Sequence, residues 1–174
     1  MPDPLLPQDR LQPALLDRLT DEQPDQRQEP PEARVLSKAR LRRSVLRDLA
    51  WLFNATELES RDSLARLPYV RTSVVNFGLP AMSGQVASSL DITDLTRAIR
   101  DAILTYEPRI IASTLAIETL LEGGDLDHHN VIGVKIQGQL WAQPVPLEFL
   151  VRTDFDLETG AVRITDLISP PRVA

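Results

Sequence analysis

The triplet Glu107-Pro108-Arg109 places an acid and a base on either side of a rigid ring, between a helical pattern and a strand pattern. If the backbone is extended there, side chains two residues apart point the same way, so the carboxylate and the guanidinium can meet. Three roles fit such a triplet: a catalytic carboxylate with its partner, a structural joint, or a surface that binds another protein. A neighbouring arginine lowers the pKa of a carboxyl group, which is the wrong direction for a general acid.

The remaining chemically active side chains do not form a recognisable catalytic or metal-binding pattern. A glycosidase needs two carboxylates facing each other across a cleft, and the positions of Glu118, Asp154 and Asp156 give no sign of such a pair. His128 and His129 are adjacent in a turn rich in glycine and aspartate, which favours a solvated hairpin over a metal site. The chain has no cysteine. We therefore expect no catalytic residue, no metal and no cofactor.

Composition limits the class of protein further. The chain has 174 residues and a formal net charge of −6, which argues against a nucleic-acid-coating protein. The N-terminus lacks the basic start and apolar run of a signal peptide. No stretch is apolar for the length needed to span a bilayer, so we expect no direct membrane insertion. The composition predicts a cytoplasmic protein.

Prolines divide the chain into an arm, residues 1–34, and a folded domain, residues 35–174. Seven of the 14 prolines lie in the first 31 residues, and the polar segment DEQPDQRQEPPEAR has the composition of a flexible linker. Before this linker, Leu15, Leu16 and Leu19 are spaced for one face of a short helix. Such a helix can dock on its own domain, dock on a partner, or stay disordered.

Two longer helices are predicted in the domain. Ser37 is a suitable N-cap for a helix that stops at Asn54, and Asp91 is a suitable N-cap for a helix that ends at about Tyr106 or Glu107, before the proline. The apolar stripe of the first helix consists of Leu41, Val45, Leu49 and Leu52. The arginines of this helix lie off the stripe and are expected to be solvated: Arg42, Arg43 and Arg47.

Four strand patterns follow the second helix. RIIASTLAIETLL is apolar on both faces, which predicts a strand covered on both sides. VIGVKIQGQLWA, VPLEFLVRTDFDL and AVRITDL complete the set, and the short turns between them indicate an antiparallel meander. The predicted fold is α+β: N-terminal helices packed on one face of a mainly antiparallel sheet of about four strands, preceded by a flexible N-terminal arm.

Four segments together carry a family resemblance: LLDRLTDEQP, LRRSVLRDLAWLFNAT, SVVNFGLP and above all YEPRI, in this order. The chain resembles TssE, the small baseplate subunit of the type VI secretion system, which is related to a wedge protein of contractile phage tails. The similarity extends from Leu15 to about Leu167. Members carry the label "lysozyme-related", which implies an enzyme, but the residues above do not support a muralytic glycosidase.

The resemblance implies a structural role. Such a subunit sits at the baseplate on the inner face of the inner membrane, binds the wedge subunits TssF and TssG, and templates the contractile sheath by strand addition. It implies that Glu107, Pro108 and Arg109 contact a partner; the alternative is an internal pair that staples helix to sheet. It also implies that the arm helix docks in the wedge through its exposed side chains: Leu15, Leu16, Arg18 and Leu19. A wedge subunit of a prophage or another contractile tail is the alternative assignment.

Overall fold

The fold is described from a computed structural model, in which residues 14–20, 25, 37–82, 91–120, 131–142 and 144–168 are described. It contains four α-helices: α1 (Leu15–Leu19), α2 (Lys38–Phe53), α3 (Pro68–Arg71) and α4 (Ile92–Tyr106). Four strands follow: β1 (Ala116–Leu120), β2 (Val131–Leu140), β3 (Leu147–Asp156) and β4 (Val162–Asp166). The predicted linker, apart from residue 25, and the His128-His129 turn lie outside the described residues.

Both long helices begin and end where their capping residues predict. The Ser37 hydroxyl accepts the N–H of Arg40, and the Asp91 carboxylate accepts the N–H groups of Thr93 and Asp94. Asn54 is the C-cap of α2, and Glu107 is the C-cap of α4. Pro108 therefore ends α4 because its ring excludes helical geometry at the preceding residue.

The apolar stripe of α2 is buried as predicted, but one of its arginines is not solvated. The guanidinium of Arg42 lies in the interior, where it donates to the carboxylate of Asp166 on β4 at 3.1 Å and to the carbonyl of Glu148 on β3. A buried arginine is tolerated because carboxylate and carbonyl oxygens replace its water. The expectation that all three arginines face solvent was wrong for Arg42.

The sheet is an antiparallel meander in the order β1-β2-β3-β4, as the short turns predicted. Side chains alternate between the two faces. One face packs against α2 and α4 and forms the core; its fully buried members on β2 and β3 are Val134, Ile136, Leu140, Phe149, Val151 and Phe155. The opposite face is polar and charged: Glu118, Lys135, Arg152, Asp154 and Arg163. The structure confirms the α+β fold.

The segment predicted as the first strand is interrupted. Ile111 donates to the carbonyl of Gln139 on β2, and a 3-10 turn over Ala112–Thr114 then leaves the ladder before β1 begins. The hydroxyl of Thr114 accepts the N–H of Gln139, which the ladder would otherwise leave unpaired. β1 is an edge strand whose side chains are half-buried or exposed. The expectation of a long strand covered on both sides was wrong, because the turn divides its apolar residues into two groups.

A short irregular segment between α2 and α4 packs against the end of α4, next to the triplet Glu107-Pro108-Arg109. We call this triplet the Glu-Pro-Arg joint. Asn76 is buried; its side-chain oxygen accepts the N–H of Glu59, and its amide donates to the carbonyl of Arg71. Next to it, the Phe77 ring meets the Tyr106 ring edge-on at a centroid distance of 5.2 Å. The segment SVVNFGLP therefore packs against the end of α4.

Candidate functional site

Glu107 and Arg109 form a tight internal pair around Pro108. The Nε of Arg109 donates to Oε1 of Glu107 at 2.6 Å, and Nη2 of the same guanidinium donates to Oε2. The backbone N–H of Arg109 also donates to Oε1, at 3.2 Å. Both carboxylate oxygens are thus engaged in the two-pronged geometry that arginine favours. The interpretation of the triplet as an internal staple describes this contact, and contact with a partner stays a prediction.

The two members of the pair differ in how deeply they are buried. The side chain of Glu107 is 3% exposed, whereas that of Arg109 is 24% exposed. Pro108 is exposed between them. Glu107 is therefore committed to the interior, while part of the guanidinium and the proline ring face outward. A partner that approaches the joint meets Pro108 and Arg109 before it meets Glu107.

Arg109 also ties the joint to α2. Its Nη1 donates to the hydroxyl of Ser44 at 2.9 Å, and its Nη2 donates to the carboxylate of Asp48 at 2.5 Å. Burial lowers the pKa of Arg109, but hydrogen bonds and the charge of Glu107, followed by those of Asp48, outweigh burial and raise the pKa above its ordinary value. The guanidinium is thus held charged by two carboxylates.

The same side chains of α2 hold the arm helix. The hydroxyl of Ser44 donates to Asp17 of α1 at 2.7 Å, and Arg47 donates to the other oxygen of that carboxylate at 2.6 Å. Arg47 also pairs with Asp48 at 2.8 Å. These connected side chains form a set that we call the α2 network: Asp17, Ser44, Arg47, Asp48, Glu107 and Arg109. It links the arm helix to the Glu-Pro-Arg joint, a contact between regions 90 positions apart that the sequence does not reveal.

Hydrogen bonds and nearby positive charges favour the ionised form of the Asp17 carboxyl group. Burial raises the pKa of its carboxyl, but hydrogen bonds from Ser44 and Arg47, with the positive charges of Arg47 and Arg109, bring it below the ordinary value. In turn, Asp17 and Asp48 raise the pKa of Arg47 against the effect of burial. The contact between α1 and α2 is therefore an ionised pair reinforced by a hydroxyl.

The arm helix docks on its own domain with its leucines facing outward. Leu15 is 70% exposed, Leu16 is 42% exposed and Leu19 is 73% exposed, and Arg18 is also exposed. Since Asp17 makes the contact with α2, the polar side of α1 is used internally and its apolar side is left uncovered by the described residues. Of the three fates considered for this helix, docking on the domain is the one observed, and it leaves the leucines available.

The comparison with known families decides the identity. The family model described as baseplate wedge protein gp25 matches residues 39–145, which is more than half of the chain. The chain is a baseplate wedge protein of the gp25 family. This family includes the wedge protein gp25 of a contractile phage tail and the type VI secretion subunit TssE. No curated protein and no solved structure matches the chain.

The matched region of this wedge protein contains α2, α4, the Glu-Pro-Arg joint, β1 and β2. The arm helix, β3 and β4 lie outside it. The site fits a structural subunit of the contractile-tail baseplate, because the carboxylate of Glu107 is engaged in a salt bridge with Arg109. Within the parts of the chain described here, no three histidines, aspartates or glutamates are grouped as a metal site. No helix in those parts has the length and apolarity to cross a membrane.

Two tryptophans beside the joint were missed by the prediction of site residues. Trp51 is 53% exposed and lies under the guanidinium of Arg47, whose carbon is 5.2 Å from the ring centre. Trp141 is 52% exposed, and its backbone N–H donates to the carbonyl of Arg109 at 2.7 Å. Trp51, Phe77 and Tyr106 also line a hollow of about 220 Å³ next to Arg109. The only signal in the sequence was that Trp51 lies at the edge of the α2 stripe.

Proposed function

We propose that this wedge protein is the TssE subunit of a type VI secretion baseplate, located on the cytoplasmic side of the inner membrane. It binds TssF and TssG through the arm helix and the Glu-Pro-Arg joint, and it templates the sheath through an edge of its sheet. The observation that carries the proposal is the arm helix, which is fixed by Asp17 and displays three leucines on a chain of the wedge family.

The arm helix has the properties of a docking element. Burying a leucine side chain contributes about 1.5–3 kcal/mol, so three exposed leucines can supply most of the affinity of a wedge contact. Because Ser44 and Arg47 already hold Asp17, the helix loses little conformational freedom when a partner binds. The exposed Arg18 lies among the leucines and can orient the contact through its charge.

The joint offers a second contact of different chemistry. Tryptophan and arginine are enriched among the residues that dominate binding energy at interfaces, and here two half-exposed tryptophans flank one partly exposed arginine. Pro108 fixes the backbone between Glu107 and Arg109, so the guanidinium is preorganised. This surface, which we call the joint surface, consists of Trp51, Pro108, Arg109 and Trp141.

The sheet supplies the sheath contact. Its four strands do not close into a barrel, so β1 and β4 are both edge strands. An edge presents backbone N–H and C=O groups that an extended segment of another chain can pair with. Strand addition of this kind gives affinity through main-chain hydrogen bonds, which suits the start of a repeating sheath.

The decisive experiment is a pull-down of TssF and TssG, co-expressed from the same secretion locus, by the full-length chain. One variant replaces Leu15, Leu16 and Leu19 by serine, and another combines Glu107→Ala with Arg109→Ala. The matched control replaces Val74 and Val75 by serine, because these residues are 80% and 63% exposed but lie on the segment before α4. We expect wild type and the control to retain the wedge subunits and the leucine variant to lose them.

Each outcome has a distinct meaning. If the leucine variant binds like wild type, the arm helix is not the docking element. If the joint double variant retains TssF and TssG, the joint surface contacts the sheath instead. If wild type binds neither subunit while TssF and TssG assemble with each other, the secretion assignment fails. Binding to the wedge proteins of a phage tail would then identify a prophage subunit.

A further inference from the structure

The first half of α2 carries a row of arginines beside the arm helix. Arg40, Arg43 and Arg47 are three and four positions apart, so they lie on one side of the helix. Arg43 is exposed, whereas Arg40 and Arg47 are half-buried. A row of like charges is most often a solvated helix face. This row is different because it lines a hollow and because the chain as a whole has a net charge of −6.

The hollow has a volume of about 220 Å³ and lies between the arginine row and the arm helix. Its lining contains three guanidinium groups but a single carboxylate, and it has no apolar side chain. The lining residues are Asp17, Thr20, Arg40, Arg43, Ser44 and Arg47. Since cations outnumber anions around an open space, the electrostatic potential there favours the entry of a second carboxylate.

The walls of the hollow are fixed before anything binds. Arg47 donates to Asp17 at 2.6 Å and to Asp48 at 2.9 Å, so its guanidinium has little freedom to move. The hydroxyl of Thr20 donates to a backbone carbonyl of α1 at 2.9 Å. A ligand that enters therefore orders few side chains, which lowers the entropic cost of binding.

One wall of the hollow offers an unused cation. Within the described residues, no hydrogen bond or ion pair reaches the side chain of Arg43, and the same is true of Arg18, which follows Asp17 in α1. An arginine presents parallel N–H groups that can bind both oxygens of a carboxylate. Arg43 is therefore the group in the hollow that is available to an incoming acid.

The exposed leucines of α1 lie close to the hollow. α1 has five residues, which span about 7.5 Å at the rise of an α-helix. Leu16 and Leu19 are neighbours in the chain of Asp17 and Thr20, which line the hollow. A partner that covers these leucines therefore also reaches the arginines, and it must combine apolar side chains with a nearby negative charge.

We propose that this hollow, which we call the arginine groove, binds an aspartate or glutamate side chain of a partner segment whose apolar side chains cover the leucines of α1. The proposal rests on the docking through α1 proposed above and adds the chemistry of the partner. The carboxylate pairs with Arg43, while the leucines supply the apolar contact. Charge complementarity then fixes the register of the contact and selects an acidic, amphipathic segment.

The chain has acidic residues of its own near the groove. Asp21 and Glu22 directly follow Thr20 in the sequence, outside the described residues. A carboxylate of the same chain in the groove is therefore the alternative occupant. Replacing Asp21 by asparagine and Glu22 by glutamine distinguishes the two occupants, because only an intramolecular ligand competes with an added acidic segment.

Charge variants of the full-length chain test the groove. Arg43→Glu reverses the charge, and Arg43→Gln removes it without adding repulsion toward Asp17. The matched control is Arg66→Glu, because Arg66 is exposed and has no ion pair within the described residues. In a pull-down of TssF and TssG, we expect Arg43→Glu to reduce retention about fivefold or more, Arg43→Gln about threefold, and Arg66→Glu less than about twofold. The rate of trypsin cleavage after Arg18 checks that α1 stays docked.

The arginine groove and the docking of α1 can fail separately. If Arg43→Glu retains the wedge subunits like wild type, or if Arg66→Glu loses them equally, the groove is not an acid-binding site. Loss of the wedge subunits in the serine variant of the three leucines would still support docking through α1. If wild type binds neither subunit, the secretion assignment fails, and a peptide probe decides the groove alone.

The probe is a short helical peptide with leucines on one face and glutamates beside them, and its reference has glutamine at each glutamate. In isothermal titration calorimetry with the full-length chain, we expect the glutamate peptide to bind about fivefold more tightly, and Arg43→Glu to abolish this preference. Equal affinity for the two peptides overturns the proposal. If removing the charges of Asp21 and Glu22 increases the affinity about fivefold, the groove belongs to the chain's own acidic residues and the proposal is also overturned.

Discussion

The arm helix and the Glu-Pro-Arg joint were predicted to do the same thing, which is to bind a partner, but they expose different groups. The arm helix turns Asp17 inward to α2 and leaves Arg18 and its leucines outside. The joint turns Glu107 inward and leaves Arg109 partly covered by Ser44 and Asp48 of α2. Both regions thus bury a carboxylate, but the arm helix exposes leucines whereas the joint exposes Pro108 and part of Arg109.

This difference determines what a substitution reports. The leucines contribute little to folding because they are exposed, so their loss should affect binding alone. The members of the buried pair contribute to folding, so their loss should affect both. A defect in assembly is therefore informative about an interface at the arm helix, whereas at the joint it must be separated from a loss of stability.

The largest expected effect is on the joint. Arg109→Ala leaves the Glu107 carboxylate buried without its partner, which should lower the free energy of unfolding by about 3–5 kcal/mol. Urea unfolding followed by circular dichroism measures this. The control is Arg97→Ala, whose pair with Asp94 on α4 is 64% and 67% exposed, and it should cost no more than about 0.5 kcal/mol. Equal costs for the two variants would show that the joint is a surface feature.

A smaller effect is expected where the two regions meet. Asp17→Asn replaces the charged contacts with Ser44 and Arg47 and should weaken the docking of α1 by about 1 kcal/mol without unfolding the domain. Trypsin cleavage after Arg18 should become about fivefold faster by mass spectrometry. Asp94→Asn, which removes the exposed α4 pair, should leave that cleavage rate unchanged. An unaltered rate in Asp17→Asn would show that other contacts hold the arm helix.

The docking of α1 should also depend on pH. Because the pKa of Asp17 is lowered from 3.8 in the folded chain, its stabilising contribution is fully present above pH 3.8 and is lost as the pH falls through the lower folded value. A carboxyl titration by nuclear magnetic resonance should place its midpoint below 3.8. In Arg47→Ala, the midpoint should return toward the ordinary value. A wild-type midpoint at or above 3.8 would contradict the observed contact.

The smallest effect on stability is expected for the exposed leucines. Replacing Leu15, Leu16 and Leu19 by serine should change the free energy of unfolding of the domain by no more than about 0.5 kcal/mol, because surface substitutions rarely cost more. The same urea titration as for Arg109→Ala provides the comparison. A loss of several kcal/mol would mean that the leucines are covered by part of the chain, and that the contrast between the two regions is false.

Local signals in the sequence predicted most of the fold. Ser37, Asp91 and Pro108 marked helix ends correctly because caps and proline act on neighbouring residues. Short turns between the strand patterns predicted the meander. The prediction of the first strand failed because branched apolar residues lie on both sides of the turn at Ala112–Thr114, and composition does not distinguish a strand from a turn that pairs through Thr114.

The sequence by itself determined the two long helices, the meander and the leucine face of α1, since each depends on residues close together in the chain. It left open whether Glu107 and Arg109 pair with each other or with a partner. Only the tertiary structure decided that Ser44 joins Asp17 to Arg109 and that Arg42 is buried against Asp166. It also decided that the side chain of Asn54 bonds to the backbone of Val162. These contacts join segments that are distant in the chain. Packing of the core brings their polar side chains together, and no local pattern in the sequence indicates which of them pair.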